Sequence, residues 1–506
     1  MQVLEENAAL RAEVAALREE NRRLKGLKGP PALKPSKPSG MDKATEAKRG
    51  RDRRRRGPKN PRLSVDEVRI LRPAVPSGSR FKGYEDFVVQ ELVVSPWVIR
   101  YRRERWLTPE GATVVAPLPA GVAGHFGPEL RRFVLALYHQ GQSTVERITT
   151  LLADIGMDVS KRQVQRFLTD GQQGFLAEAR DVLRAGLATA AWISVDDTGA
   201  RHDGCNATCT RIGDHRFASF ATTPAKSRLN FLELLAGAEP AYAINDAALA
   251  YMRARQLPGA VVARLAAHPE RRFPDKAAWS AHLDALAIPA RARHPDPARI
   301  ASEGALWGGL VARGFENTVI LSDDAGQFAL GRHALCWVHA ERLVYKLDTF
   351  CARQTRAKEA IRAGLWDLYR DFKAYCRDPA PAAAAALRER FDRLLATRTG
   401  FATLDRLLDR LKANRDELLV ALDRPEVPLH TNDAENDLRA VVTRRKLSGG
   451  TRSAAGRACR DAFLGLQKTC LKLGIRFWDY LGDRLRAPHA PTVPALALLV
   501  RQAASA

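Results

Sequence analysis

Two stretches of this chain read as buried strands that stop on a pair of acids: "AAWISVDDTGAR" (190–201) and "ENTVILSDDAGQF" (316–328). In each, an apolar, β-branched run of the kind that favours strands delivers carboxylates at its end, at Asp196-Asp197 and at Asp323-Asp324. The first leads into two further expected strands, "CNATCTRIG" and "FASFATT". Side chains alternate across a strand, so one acid of each pair can face a common site and the other cannot. A single Asp-Asp pair is also an ordinary turn signal. Two of them, each at the end of a buried strand, constrain the fold to one whose sheet carries a site.

A third acidic group lies in "HTNDAEND" (430–437), where Asp433, Glu435 and Asp437 open an expected helix. One explanation is local: Thr431 or Asn432 with an acid in the first turn makes a capping box and favours the helix dipole. The other is chemical. Carboxylates from two strands and a helix can hold two divalent metals ~3.5–4 Å apart for phosphodiester chemistry. Hard cations such as Mg²⁺ or Mn²⁺ take oxygen ligands and accept substrate phosphate into their shell, so few protein ligands suffice. Arg439, Arg444, Arg445 and Lys446 follow, placed to hold a nucleic-acid backbone beside those metals.

The whole chain has the charge for such a partner. Its 506 residues carry 81 Lys+Arg against 57 Asp+Glu, a formal net charge of +24, and 45% hydrophobic content is ample for cores. No long apolar run or signal-peptide core appears, which points to a soluble, intracellular protein without a membrane partner. Seven scattered cysteines point to a reducing compartment rather than a disulfide framework.

Val3, Leu10, Leu17 and Leu24 recur every seven residues with Asn7, Val14 and Asn21 between them, so residues 1–25 are expected to form a coiled-coil zipper that dimerises the chain. Residues 26–79 read as a flexible basic linker in which Arg53, Arg54, Arg55 and Arg56 neutralise phosphates. Alternation over 80–118 suggests a small antiparallel sheet. Three helices are expected within 127–168, with caps at Ser143 and Ser160 and a stop at Gly156. The third would bury Val164, Phe167 and Leu168 and project Lys161, Arg162, Gln165 and Arg166, the layout of a helix-turn-helix recognition element.

In their order, "VDDTGAR", "ILSDDAGQF" with "LCWVHAERL", and "TNDAENDLRAVVTRRK" with "TCLKLGIRFWDYL" resemble the successive blocks of the IS66-type transposases, DDE enzymes with an RNase H-like catalytic fold. The resemblance covers about 120–485 and extends to the zipper. It implies a multidomain α/β protein: zipper, linker, a β-rich segment at 80–120, a helix-turn-helix region at 121–185, and a mixed-sheet catalytic core at 186–485 with helical insertions near 226–315 and 338–425, then a tail at 486–506. It implies catalytic, metal-binding Asp196, Asp323 and Glu435, with Asp197 and Asp324 as rivals and Asn432 and His339 in support. Two Mg²⁺ or Mn²⁺ ions per site, double-stranded DNA at element ends and target, small accessory proteins, a homo-oligomer and a bacterial, nucleoid-associated cytoplasmic setting go with it.

Residues 26–204 contain no cysteine, which excludes the zinc-binding segment common in the family, and no zinc is expected. Cys205, Cys209, Cys336 and His339 could ligate zinc on paper, but their spacing fits no standard pattern. Leucines spaced three and four apart between Cys336 and Val427 read as helix-hairpin seams. His339 opens one such helix, running through Arg342 and Lys346. Two other functions stay open: a transposase descendant that binds DNA without chemistry, and a metal-dependent nuclease that cuts without joining.

Overall fold

The computed structural model of the chain describes residues 64–119, 122, 124–237, 241–290 and 296–505; the heptads of 1–25 and the run Arg53 to Arg56 lie outside the described residues. The alternating segment 80–118 forms a small antiparallel sheet of two strands, β1 (Arg105–Leu107) with β2 (Thr113–Val115), confined to the C-terminal part of the segment. Its apolar side chains lack a second layer: Val89, Leu92, Trp97, Val98, Trp106 and Leu107 are all exposed. Alternation without a surface to bury against specifies little, and an isolated hairpin is marginal in water.

Helices follow: α1 (Pro128–Leu135), which continues as a π turn over Ala136–Gln140, then α2 (Val145–Asp154), α3 (Lys161–Thr169) and α4 (Gln173–Thr189). Ser160 caps α3 by accepting from the Gln163 N–H, as the spacing predicts. At α2 the cap is Thr144, which accepts from Arg147, and not Ser143. Gly156 takes a φ of 84° just past α2, where a side chain would be strained.

The central sheet begins with β3 (Trp192–His202), β4 (Cys205–Gly213) and β5 (Ala218–Thr223). Residues 226–315 then supply α5 (Arg228–Ala236), the two-residue strand β6 (Tyr242–Ala243), α6 (Asp246–Ala254), α7 (Gly259–Ala267), β7 (Arg272–Phe273), α8 (Lys276–Ala285) and α9 (Pro297–Val311). The sheet resumes with β8 (Val319–Ser322) and β9 (Arg332–Leu335). Helices α10 (Trp337–Tyr345), α11 (Ala352–Tyr375), α12 (Pro381–Leu395), α13 (Ala402–Ala413) and α14 (Arg415–Leu418) come next, then α15 (Asn432–Ser448), α16 (Ala454–Lys472), α17 (Phe477–Arg484) and α18 (Leu496–Gln502). The architecture is mixed α/β.

The strand order is β5-β4-β3-β8-β9, with β3 to β5 antiparallel and β8 and β9 parallel to β3. Asp203 and Gly204 join β3 to β4 with φ of 49° and 73°, the two positive values of a type I′ hairpin turn. That turn fixes the register, so Asp196 stands opposite Arg211.

One sheet face, with Ile193, Val195 and Ile320, joins the main core with Val182 and Ala185 of α4. On the other, Ala200, Cys209 and Phe220 receive Leu438 and Val441 of α15. The free edge of β5 is covered by α16, whose Asp461 and Thr469 accept from the Thr222 and Ala218 N–H groups. Gly465 permits this approach, because a Cβ there would lie 2.9 Å from the Ala218 oxygen.

The helices after β9 share a core in which the Trp337 ring lies 4.8 Å from Phe372 and donates from Nε1 to the Leu418 carbonyl at 2.9 Å. Burying one such aromatic stabilises by roughly 1.5–3 kcal/mol. The expected C-terminal tail is ordered: α18 buries Leu496 and Val500, and Glu178 of α4 accepts from Arg484 and from the Leu496 N–H. Among the described residues no helix is long and apolar enough to cross a membrane.

Candidate active site

The β3–β8 ladder pairs Ser194 with Leu321, and two residues on along each chain come Asp196 and Asp323. Trp192, Val319 and Leu321 share one apolar cluster, so alternation carries both acids toward that same face. Their neighbours have other partners. Asp197 accepts from Lys226 Nζ at 3.0 Å and from Gln327 Nε2 at 2.9 Å, and Asp324 pairs with Arg410.

Glu435 arrives from α15. The helix starts at Thr431 without a side-chain cap bond, so the capping box is not formed. Its start is tied to that of α10, since the Trp337 N–H donates to the Leu429 carbonyl while the Cys336 N–H donates to Ser322 at the end of β8, both at 2.9 Å. These two bonds bring His339 and Arg342 of α10 to Glu435: Oε1 lies 3.5 Å from His339 Nε2 and 3.6 Å from Arg342. Both separations are long for hydrogen bonds, and this buried oxygen has no hydrogen-bond partner among the described residues.

The electrostatics tie the acids together. Burial, joined by the charges of Asp323 and Glu435, pushes the Asp196 carboxyl up to about 6 against the pull of the Asp197 N–H and of His339. Burial alone would lower His339, but the adjacent Cys336 thiol and Glu435 raise it to about 9. Among the described residues no three His, Cys, Asp or Glu side chains converge as a ready metal cage. The donor set nonetheless suits a hard divalent cation: carboxylate oxygens that repel one another, one of them buried without a hydrogen bond.

Two buried networks hold the acids, and sequence reasoning missed both. Arg211, fully buried, donates to Asp437 Oδ2 from Nε at 3.1 Å and Nη2 at 2.9 Å, and from Nη1 to Ser194 and to the Gly213 carbonyl. Lys468 and Lys472 add ion pairs to Asp437 at 3.5 and 3.4 Å. So β3, β4 and α16 grip α15 two residues past Glu435. At the second acid, Ser322 Oγ lies 2.7 Å from His333 Nε2 and also reaches the Asp323 carbonyl, while His333 Nδ1 lies 2.9 Å from Glu417. A cavity of about 410 Å³ opens beside Asp323, walled by Leu335, Leu343 and Leu411 with Arg342, Lys346 and Arg410.

Of the expected DNA contacts, Lys161, Arg162, Gln165 and Arg166 are exposed on α3, and Arg439 and Lys446 are exposed on α15. Arg445 is half-buried and donates to the Gly199 carbonyl. Arg444 is buried rather than exposed: its guanidinium covers the Tyr138 ring at 4.1 Å and donates to the carbonyls of Tyr138, Gln142 and Ser143. Asn432 is the first residue of α15 and half-buried. Cys205 is exposed, whereas Cys209 packs in the apolar cluster under α15.

The model of the Transposase IS66 family matches residues 123–288 and 319–458, and the chain belongs to that family. It is similar to the uncharacterized protein y4jO of Sinorhizobium fredii, with 49% identity over 323 residues, covering 64% of this chain and 100% of that protein. The family match spans all three acids as well as α1 to α4.

Proposed function

We propose that this transposase-family protein is an active DDE transposase that binds the ends of a mobile element, cleaves a strand and joins the freed 3′-hydroxyl to target DNA. The observation that supports the proposal is that Asp196 and Asp323 extend two neighbouring parallel strands on one sheet face while Glu435 comes from a helix, within range for the charges of the other two to act on the Asp196 carboxyl. A central strand with an antiparallel hairpin on one side and parallel strands on the other supports an RNase H-like core.

In this account Asp196, Asp323 and Glu435 would hold two Mg²⁺ or Mn²⁺ ions, while Asp197 and Asp324 serve as salt-bridge partners. Bound divalent cations supply the positive charge that lowers the pKa of the attacking oxygen and offsets charge on the leaving one. His339 and Arg342 hold Glu435 in place before DNA arrives. Arg439 and Lys446 hold backbone phosphates, α2 and α3 act as the helix-turn-helix, and the N-terminal heptads dimerise the chain. Water attacks the element-end phosphodiester first, forming a 5′-phosphate as the P–O3′ bond breaks and the element's 3′-oxygen leaves as a hydroxyl; that hydroxyl then attacks a target phosphodiester in line, displacing the target's own 3′-oxygen, which takes up the proton.

A second reading has a specific observation behind it. The absence of a ready metal cage among the described residues favours a descendant that binds DNA without cutting it. The two part in one assay with a 5′-labelled element-end duplex, a second target duplex, and Mg²⁺ or Mn²⁺. Cleaved and joined products from the wild-type chain support the transposase. Cleavage without joining leaves a nuclease, and binding without either leaves the descendant.

A further inference from the structure

About 14 Å along α15 from Glu435, nine residues at 1.5 Å each, Arg444 lines a small cavity formed with the π turn, the end of β3 and α16. Arg201, Arg445 and Arg460 line it too, and no Asp or Glu is among its lining residues. Two buried polar atoms on its lining residues, His139 Nε2 and Gln142 Oε1, have no hydrogen-bond partner. His139 is only 7% exposed and stacks on Phe463 with ring centroids 4.2 Å apart.

Positive charge here is only partly compensated, by the Arg460–Asp461 ion pair behind the cavity wall. Arg460 gives Nε and Nη2 to Asp461 and Thr222, which leaves Nη1 without a protein acceptor. Arg444 spends Nη1 and Nη2 on three carbonyls, which leaves Nε free. Burial and then the Arg460 charge pull the Arg444 pKa down, and burial followed by Arg444 pulls down that of His139. Cations that repel one another around an acid-free cavity are stabilised by an anion.

The cavity offers water-sized groups about 30 Å³, room for roughly two or three of them. That matches the two unesterified oxygens of a phosphodiester. We infer that this cavity seats a backbone phosphate of bound DNA, with Arg444, Arg445 and Arg460 as its donors and His139 Nε2 and the turned Gln142 amide at its wall. The inference rests on the proposed role of Glu435 in cleavage, which sets the position: ~14 Å lies within about four nucleotides of the cleaved bond, since each adds ~3.4 Å of rise along the duplex axis and more than that along the strand.

The test is a methylphosphonate scan of the element-end duplex, one neutral linkage at a time. Binding to the full chain is measured in chelator, so the result stands whether or not the protein cuts. One linkage within about four nucleotides of the cleaved bond is expected to weaken wild-type binding about tenfold or more. In Arg460→Gln and Arg445→Gln the same linkage should cost nothing further, and the salt dependence should lose about one phosphate contact. Arg460→Lys, which keeps the charge, should retain the sensitivity, and circular dichroism checks that each variant is folded. Equal cost at every linkage, or the same pattern in folded Gln variants as in wild type, overturns the inference. So does protection of the wild type by inorganic phosphate with no sensitive linkage, which assigns the cavity to a free anion instead.

Discussion

Glu435 and Arg444 stand nine residues apart on α15, and their surroundings are opposite in kind. Around Arg444 the protein supplies a ring face and three carbonyls, and most of its donors are used. Around Glu435 it supplies only two distant cations and leaves a buried oxygen without a hydrogen bond. A buried polar group left short of partners destabilises the fold. Between them, Asp437 bonds to Arg211 and draws Lys468 and Lys472. The three acids of "HTNDAEND" thus divide: Asp433 faces solvent, Glu435 enters the cleft, and Asp437 anchors the helix.

The contrast breaks hardest at the cleft. Glu435→Gln and Asp196→Asn should each lower strand cleavage by at least 10²–10³-fold while leaving duplex affinity in chelator unchanged, a loss typical of removing aimed charge stabilisation. Gel assays of cleavage and binding on the same preparations decide it; equal losses in both would point to misfolding.

Breaking the anchor comes next. Arg211→Met leaves Asp437 buried beside two lysines but stripped of its bidentate partner, and should cost on the order of 3–5 kcal/mol in urea melts. Adding Asp437→Leu should recover much of that stability without restoring Glu435 to its full activity. If the single variant melts like wild type, the network is not what holds α15. At the other end, Arg444→Met removes hydrogen bonds from a charged donor and should cost roughly 2–4 kcal/mol in the same melts.

Asp196 adds a pH signature. Its folded carboxyl sits near 6, above the ordinary value of 3.8, so its favourable contribution is full below about pH 4 and fades as pH rises through 6. Metal-free protein should therefore lose roughly 2–3 kcal/mol between those values, and Asp196→Asn should abolish that part of the slope. Differential melts in chelator read it directly. Smallest of all, Lys226→Ala removes a half-exposed pair with Asp197 and should change stability by less than about 1 kcal/mol.

Much of the site could be read from the sequence, because strand-end acids and helix-start acids are local patterns. Alternation required one member of each Asp pair to turn away, and Lys226, Gln327 and Arg410 are the groups that take the other member. Arg211 was within reach as well: the Asp-Gly turn at 203–204 sets the register that puts it across from Asp196. Its partner Asp437 was not, since nothing local says which face of α15 meets β4. The Ser322–His333–Glu417 chain includes a bond between residues 84 positions apart, and Arg444 reads as a surface basic residue until the π turn appears beside it. At 80–104 the error ran the other way: alternation promised strands, and without a covering layer none formed.

Divalent-metal binding by the full chain is the most direct test of the division within each Asp pair. Mn²⁺ titration followed by electron paramagnetic resonance should give two bound ions per chain in the wild type, with DNA present to complete the shell. Asp196→Asn, Asp323→Asn and Glu435→Gln should each weaken or abolish that binding, whereas Asp197→Asn and Asp324→Asn should leave it intact. Wild-type-like Mn²⁺ binding in the first three, or its loss in the last two, would contradict the assignment of the three acids as the metal ligands.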